Sequence, residues 1–247
     1  AYLYRPRLVR AALSLGTLML HDGAITVQER FYEHISRTDP NGQFFENVRD
    51  LIKEGSVEIS KSIPTKGSQA SAEINLKFGP KLQMSLLVLR MLQNACEGHF
   101  LDIQKIFVDQ KASGLNRQSF NIVQEAVTLL TTITNTKEKF ANMTTIEVEV
   151  IAKILDFLIE LCQGPCGSNQ AYITGSRAIE VAKKLMKSQI DVVEKEQMSL
   201  LSKAVKLISA CMEGSPDDSI VIQLASKVES VLLVNVLSII GRQMKKE

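Results

Sequence analysis

The sequence predicts an all-α fold in the form of an armadillo-like helical solenoid of about eleven helices. Apolar residues recur at helical spacing along most of the chain. One of these stripes comprises Met84, Leu87, Val88, Met91, Leu92 and Ala95. No segment of useful length alternates strictly between apolar and polar residues, as a half-buried strand would. Aromatic residues account for only 5% of the chain and tryptophan is absent, which favours helix-on-helix packing over a sandwich or barrel.

Residues that start and end helices support this interpretation. Thr144 and Glu147 form a capping-box pattern ahead of a long apolar stripe. Gly98, Gly164 and Gly214 each follow an apolar stripe, at positions where a left-handed helix stop is expected. The predicted helices lie near positions 8–21, 26–36, 43–60, 81–97, 101–110, 119–134, 145–162, 170–187, 196–213, 218–226 and 228–246.

The stretch from Ser60 to Pro80 differs in composition from the rest of the chain. It contains two prolines, two glycines and several serines, which are typical of an exposed, mobile loop. We therefore predict an N-terminal helical group at 1–60, a flexible loop at 61–80 and a main armadillo-like block at 81–247. The three parts are expected to form one continuous domain.

A weak internal repeat favours the solenoid. Four times an apolar helix runs into a polar stop with a glycine, and the apolar pattern then restarts near a glutamine. The four glycines, Gly23, Gly98, Gly164 and Gly214, are 75, 66 and 50 residues apart, so the period is irregular. Helix pairs that repeat every 40–50 residues or so are typical of armadillo and HEAT solenoids. A non-repeating helical bundle remains the alternative.

Charge and hydropathy give no indication of a nucleic-acid or membrane partner. The formal net charge is +2, which provides no electrostatic reason to expect nucleic acid or an anionic membrane. The most apolar run, from Val228 to Ile240, has about thirteen residues, whereas a spanning helix needs roughly 20. We therefore expect no direct membrane insertion. The chain begins with Ala1 rather than Met, and we expect it to be part of a longer protein.

The sequence carries no recognisable catalytic motif, so we predict that the chain is not an enzyme. It has no phosphate loop, dinucleotide fingerprint, EF-hand loop or HExxH pattern. The spacing of Cys162 and Cys166 would suit zinc, but such a site needs two more ligands, and His21, His34 and His99 are scattered. We interpret the four cysteines as reduced structural thiols in a reducing compartment.

Two glutamates occupy unusual positions at predicted helix ends. Glu97 ends one helix and Glu160 lies in the last turn of another, where a carboxylate faces the negative end of the helix dipole at a cost of roughly 0.3–1 kcal/mol. If the repeat alignment holds, both occupy equivalent helix ends on one edge of neighbouring units, where a cation would relieve their repulsion. Calcium takes 6–8 oxygen ligands, so the pair alone would be an incomplete site. The alternative is that both are ordinary solvated glutamates.

Two further polar residues lie beside these glutamates. His99 follows Glu97 by two residues and could donate a hydrogen bond that orients a carboxylate ligand. Gln163 admits the same interpretation beside Glu160. The alternative for both is an exposed loop residue.

Three motifs in order resemble one family. The segment Cys162-Gln163-Gly164-Pro165-Cys166, followed by Asn169-Gln170, resembles the signature of inositol trisphosphate receptors, and its core resembles the QGPC-x-x-NQ pattern of ryanodine receptors. Upstream, LQNACEGHFLDIQKIF is similar to the family's helix that ends in Cys-Glu-Asn-His. Further upstream, HDGAITVQERFYEHI and GQFFENVRDLIKEGSVEI resemble the segment that precedes that domain. The resemblance spans most of 13–215 and is strongest at 92–107 and 155–172.

The resemblance implies the ryanodine receptor and inositol trisphosphate receptor homology-associated domain of a tetrameric calcium-release channel. This domain would lie on the cytosolic face of the endoplasmic reticulum membrane and pass the activating signal towards the pore. Its partners would be other domains of the same polypeptide, including the C-terminal segment after the pore. The family's calcium ligands fall by motif position on Glu97 and Glu160, and its supporting histidine and glutamine fall on His99 and Gln163. The remaining protein ligand would come from the C-terminal segment.

The chain departs from the family pattern at two positions near these residues. Gly98 stands where the family has Asn, and Leu161 stands where it has Tyr. The first change loosens the backbone beside a calcium ligand. Because the ligand from the C-terminal segment is missing, we expect calcium binding by this chain alone to be weak or absent. We also expect no binding of inositol trisphosphate, whose pocket lies in another domain of the family. The alternative function is a free-standing armadillo-like scaffold that holds partner helices or peptides.

Overall fold

The computed structural model describes residues 6–39, 41–62, 79–111, 118–135, 143–188, 195–214 and 218–243. These residues contain twelve α-helices, one short 3-10 turn at His21–Gly23 and no strand, so the all-α prediction is confirmed. The helices are α1 (Pro6–Met19), α2 (Ile25–Thr38), α3 (Gln43–Ser62), α4 (Pro80–Cys96), α5 (Leu101–Ile106), α6 (Ile122–Thr134), α7 (Thr145–Cys162), α8 (Gly167–Gly175), α9 (Arg177–Ser188), α10 (Lys195–Met212), α11 (Asp218–Lys227) and α12 (Ser230–Gln243).

The helices stack in three rows, which gives the predicted solenoid a repeat of three helices rather than of helix pairs. The front row is α1, α4, α7 and α10, and each of these packs against the next. The middle row is α2, α5, α8 and α11, and the back row is α3, α6, α9 and α12. Four units follow from this order: α1–α3, α4–α6, α7–α9 and α10–α12. In each of the middle two units, a short middle-row helix lies between two longer helices.

The back row locks each unit to the next one. Helix α3 packs against both α4 and α6, α6 packs against both α7 and α9, and α9 packs against both α10 and α12. Each back-row helix therefore fills the groove between the two outer helices of the following unit. No unit could bury its apolar faces alone, which is the usual reason for stacking in solenoids.

Local signals in the sequence explain where several helices begin and end. The Thr144 hydroxyl accepts a hydrogen bond from the Glu147 N–H at 3.3 Å, and the Glu147 carboxylate accepts one from the Thr144 N–H at 2.8 Å, so the capping box is confirmed. The helix predicted from position 119 begins at Ile122, because the Asn121 side chain caps it by accepting a bond from Gln124 N at 2.8 Å.

One predicted helix, 170–187, is wrong as a single element. It consists of α8 and α9, which are separated at Ser176. The Ser176 N–H bonds the carbonyl of Ile173 at 3.0 Å to close α8, and its hydroxyl accepts from the N–H of Ala178 at 3.1 Å at the start of α9. Serine is a favourable residue at such a helix start, and it stops the first helix as it begins the second.

Most of the predicted 61–80 loop falls outside the described residues, which resume at Gly79. The division into 1–60, 61–80 and 81–247 therefore stays a prediction. Among the described helices, none has by itself both the length and the apolar composition needed to cross a membrane. Of the described helices, only α11 and α12 taken as a pair have the required length and apolar composition, and this pair is bent by 82°.

Candidate functional site

The C-terminal ends of α4 and α7 lie side by side in the front row of the solenoid. Glu97 follows the last residue of α4, and its N–H bonds the carbonyl of Gln93 at 3.1 Å. Glu160 lies in the last turn of α7. Both glutamates are half-buried. The two residues thus sit on adjacent helix ends at one edge of the second and third units.

Burial, together with the nearby Glu97 carboxylate, favours the protonated form of Glu160. Burial raises the pKa of this carboxyl above its ordinary value, and the nearby Glu97 carboxylate is the next largest cause. His99 and Arg90 act in the opposite direction, while Asp156 raises the pKa further. The net result is upward, so repulsion and burial outweigh the two cationic groups. The structure brings Glu97, Glu160 and His99 close enough for their charges to interact.

His99 packs against the helix stop of the next unit. Its backbone has a φ of 66°, and its N–H bonds the carbonyl of Cys96 at 3.2 Å. A Cβ added at Gly164 would overlap the Cβ and Cγ of His99, so the two stops are in direct contact. The His99 side chain is exposed, and among the described residues its ring makes no hydrogen bond to Glu97 or Glu160. Its effect on Glu160 is therefore one of charge at a distance.

The glycine stops have the predicted left-handed geometry, but they place the two glutamates in different registers. Gly98 has a φ of 76° and Gly164 a φ of 80°. Glu97 directly precedes Gly98, whereas Glu160 lies four residues before Gly164. Gln163, rather than Glu160, is thus the counterpart of Glu97. The expected equivalence of the two glutamates is wrong in register, since a difference of three residues is nearly one helical turn.

Three buried glutamines of the middle row, which we call the glutamine ladder, hold the ends of the front-row helices. They are Gln28, Gln104 and Gln170, each the fourth residue of its helix. Gln104 donates from Nε2 to the carbonyls of Glu160 at 2.6 Å and Gln163 at 3.0 Å. The last four carbonyls of a helix have no partner within it, so these bonds give partners to partly buried acceptors at and just beyond the end of α7.

The same contact recurs at the neighbouring unit boundaries. Gln28 donates to the carbonyl of Glu97 at 2.6 Å and also to two carbonyls in the last turn of α4. Gln170 donates to the carbonyls of Ala210 at 2.9 Å and Glu213 at 2.8 Å at the end of α10. Each ladder residue therefore belongs to one unit and fixes the helix end of the next. The backbones of Glu97 and Glu160 are held by two successive members.

Sequence reasoning missed the role of these glutamines and the contribution of two charged groups. A glutamine after each stop was visible as part of the repeat, but nothing in the pattern showed that it reaches the following unit. Arg90 precedes Glu97 by seven residues and Asp156 precedes Glu160 by four, spacings that place each pair on one helix face. Asp156 also forms an ion pair with Lys203 of α10.

The arrangement offers part of a site for a hard cation. Carboxylate and carbonyl oxygens are the ligands that calcium prefers, and Glu97 and Glu160 provide two carboxylates. Among the described residues, no group of three or more His, Cys, Asp or Glu side chains is placed to hold a metal.

The four cysteines are buried free thiols, which supports their interpretation as structural residues. Cys162 and Cys211 approach each other to 3.8 Å between sulfur atoms, where α7 packs against α10. Burial raises the pKa of the Cys96 thiol, and the Glu160 charge raises it further. The zinc alternative at Cys162 and Cys166 gains no support from the described part of the chain.

Comparison with known proteins agrees with the motifs. Residues 80–186 match the family described as RyR and IP3R Homology associated, a range that runs from α4 into α9 and contains both glutamates. The inositol 1,4,5-trisphosphate receptor itr-1 of Caenorhabditis elegans is 27% identical over 195 residues, which cover 72% of this chain and 7% of that receptor. The chain thus spans a small fraction of this relative's length. These matches support the resemblance of this chain to the inositol trisphosphate receptor and ryanodine receptor family, through a RyR and IP3R Homology associated region at residues 80–186.

Proposed function

We propose that this chain is a cytosolic coupling domain of a tetrameric calcium-release channel in the endoplasmic reticulum membrane. Its similarity to the inositol trisphosphate receptor and ryanodine receptor family supports a channel-related role in which the solenoid contacts other domains of one large polypeptide. The observation that carries the proposal is the pair of half-buried, mutually repelling carboxylates of Glu97 and Glu160. In this role the chain binds and transmits, and it catalyses no reaction.

In this proposal, Glu97 and Glu160 form one wall of an interdomain calcium site. They supply carboxylate oxygens, and the C-terminal segment after the pore supplies the remaining protein ligand. Calcium needs 6–8 oxygens, so water and the second wall complete its coordination. Gln163 lies at the end of α7 beside the site, and the charge of His99 favours the ionised form of Glu160 that a metal requires.

Calcium in this position would tie three parts of the channel together. Glu97, in the second unit, is anchored to the first unit through Gln28, and Glu160, in the third unit, is anchored to the second through Gln104. A ligand shifts a conformational equilibrium only by its difference in affinity between the two states. If the site is complete only when the solenoid and the C-terminal segment are in contact, calcium stabilises that contact. The solenoid then transmits the change through its stacked units.

The first test is calcium binding to the 247-residue chain, measured by calorimetry. We expect weak binding at most, with a dissociation constant above about 0.1 mM, because the second wall is missing. Combined substitution of Glu97→Gln and Glu160→Gln should abolish whatever binding is present. Glu213→Gln is the matched control, since Glu213 occupies the position of Glu97 at the end of α10 and is exposed. Tight binding that survives the combined substitution would contradict the proposal.

A further inference from the structure

The first unit has an apolar groove between α1 and α3. Its volume is about 1170 Å³. Helix α1 contributes Leu8, Val9 and Ala12 to one wall, and α3 contributes Phe44 and Leu51 to the other. Leu8 is 64% exposed, which is high for a leucine that faces a groove. The groove is therefore a large apolar surface that the described residues leave open.

The corresponding groove of every later unit is occupied. Helix α3 lies between α4 and α6, α6 lies between α7 and α9, and α9 lies between α10 and α12. In each case the occupant is the back-row helix of the preceding unit. The groove between α1 and α3 is the same place in the first unit, and none of the described helices fills it.

Helix α3 shows what such an occupant looks like. Its buried residues Phe45, Val48, Ile52 and Ile59 recur at helical spacing on one face. Where this face meets α4, the hydroxyl of Ser85 donates to the carbonyl of Leu51 at 2.7 Å, and the glycine at position 55 lets the two helices approach closely. An occupant of this type is an amphipathic helix of several turns with one continuous apolar stripe.

We propose that the groove between α1 and α3 binds an amphipathic helix from a preceding repeat of the same polypeptide. Such a helix would continue a packing rule that holds at all three unit boundaries. A terminal solenoid unit needs a polar outer face for solubility, and α1 instead exposes 64% of Leu8 and 72% of Leu18. Asp50 and Glu54 on the α3 edge of the groove are already paired with Arg49 and Lys81, so the apolar stripe of the bound helix, rather than its charge, would carry the contact.

The test compares thiol reactivity at two neighbouring positions of α1. Ala12→Cys places a thiol in the groove, and Ala11→Cys places one outside its lining; both alanines are exposed. The native cysteines are buried, so they contribute little background labelling by a maleimide. A second matched pair is Leu8→Cys in the groove and Leu15→Cys outside it, with leucines that are 64% and 59% exposed. Circular dichroism checks that each variant is folded.

In the 247-residue chain at low micromolar concentration, we expect both thiols of a pair to react at similar rates. In the protein produced from the complete reading frame, the groove thiol should react at least about ten times more slowly than its partner, because a bound helix limits access to local opening. Equal rates in the complete protein would overturn the proposal. Protection of the groove thiol in the dilute 247-residue chain would also overturn it, since another segment of that chain would be the occupant. Protection that grows with concentration, together with a dimer in light scattering, would assign the groove to a second copy and overturn it as well.

Discussion

At Glu160, burial and the Glu97 carboxylate both favour the neutral carboxyl, and the residue also faces the negative end of α7. Glu160→Gln removes this unfavourable charge and should raise the free energy of unfolding of the metal-free chain by about 0.3–1 kcal/mol. The raised pKa means that the folded state binds more protons than the unfolded state. Stability should therefore fall as pH rises from the ordinary pKa of glutamate through the raised one.

Urea unfolding of the wild type and of Glu160→Gln across this pH window measures both effects. The variant should lose part of the pH slope. Glu213→Gln should keep it, because Glu213 is not among the groups that shift the pKa of Glu160. A variant that is less stable than the wild type, with the slope unchanged, would show that the Glu160 charge is satisfied within the chain.

The glycine stops allow a matched test of backbone and side-chain effects. Gly98 and Gly164 both have positive φ, but a Cβ at Gly98 would meet only the Gly23 carbonyl oxygen at 3.9 Å, whereas one at Gly164 would overlap His99. Gly98→Ala should cost roughly 1–2 kcal/mol from the left-handed backbone alone. Gly164→Ala should cost at least about 1 kcal/mol more, because His99 must move.

Thermal unfolding of the two variants and of Gly164→Ala combined with His99→Gly provides the measurement. The combined variant should recover the excess cost, since the overlapping side chain is gone. Equal costs for Gly98→Ala and Gly164→Ala would contradict the contact between the two stops. The left-handed geometry also explains why Gly98 is acceptable where the family has Asn, since Gly and Asn adopt this conformation most readily.

In the middle-row helices, replacing a glutamine of the glutamine ladder by leucine should lower stability more than the same substitution at an exposed glutamine. Gln104→Leu leaves the partly buried carbonyls of Glu160 and Gln163 without this donor, and should cost about 1–3 kcal/mol. Gln170→Leu should cost a similar amount at the end of α10. Gln223→Leu, at an exposed glutamine of α11, should change stability by less than about 0.5 kcal/mol.

Measurements of calcium binding should distinguish the effect of Gln104→Leu from that of Gln170→Leu. Gln104→Leu loosens the backbone that carries Glu160, so it should weaken calcium binding in the protein produced from the complete reading frame. Gln170 holds mainly the end of α10 and bonds α7 only at the carbonyl of Cys162, at 3.2 Å, so Gln170→Leu should weaken calcium binding much less at a similar loss of stability. An equal effect of the two substitutions on calcium binding would mean that general destabilisation, rather than positioning of Glu160, is responsible.

Local patterns were sufficient to predict most helices, because each long helix carries its own apolar stripe and stop. They did not reveal the three-helix repeat, since the single helix predicted at 170–187 merged α8 with α9 and hid the short middle helix of the third unit. The break between α8 and α9 depends on tertiary contacts as well as on Ser176. Lys227 of α11, for example, donates to the carbonyl of Thr174 at 2.7 Å near the end of α8.

The candidate site was predictable only in part, because some of its features depend on tertiary contacts. Helix-end positions and the family motifs selected Glu97 and Glu160, and the structure places them on adjacent helices. Their difference in register, and the hydrogen bonds from Gln28 and Gln104, depend on how one unit stacks on the next. Sequence spacing within a unit carries no information about that stacking.

At the scale of the whole molecule, the solenoid presents an edge of stacked helix ends and an open groove at its first unit. The edge suits a partner domain that brings oxygen ligands, and the groove suits a helix. Both features fit a chain that spans 7% of its receptor relative's length. We therefore expect the domain to act through contacts on two different faces, one that depends on calcium and one that does not.

The most direct test of the calcium proposal is channel opening as a function of cytosolic calcium, recorded in lipid bilayers from the protein produced from its complete reading frame. Combined Glu97→Gln and Glu160→Gln should raise the calcium concentration for half-maximal activation by about tenfold or more, a change typical of a lost coupling between sites. Glu213→Gln should leave it at the wild-type value. An unchanged calcium dependence in the combined variant, with the protein folded and the channel able to open, would contradict the proposed role of Glu97 and Glu160.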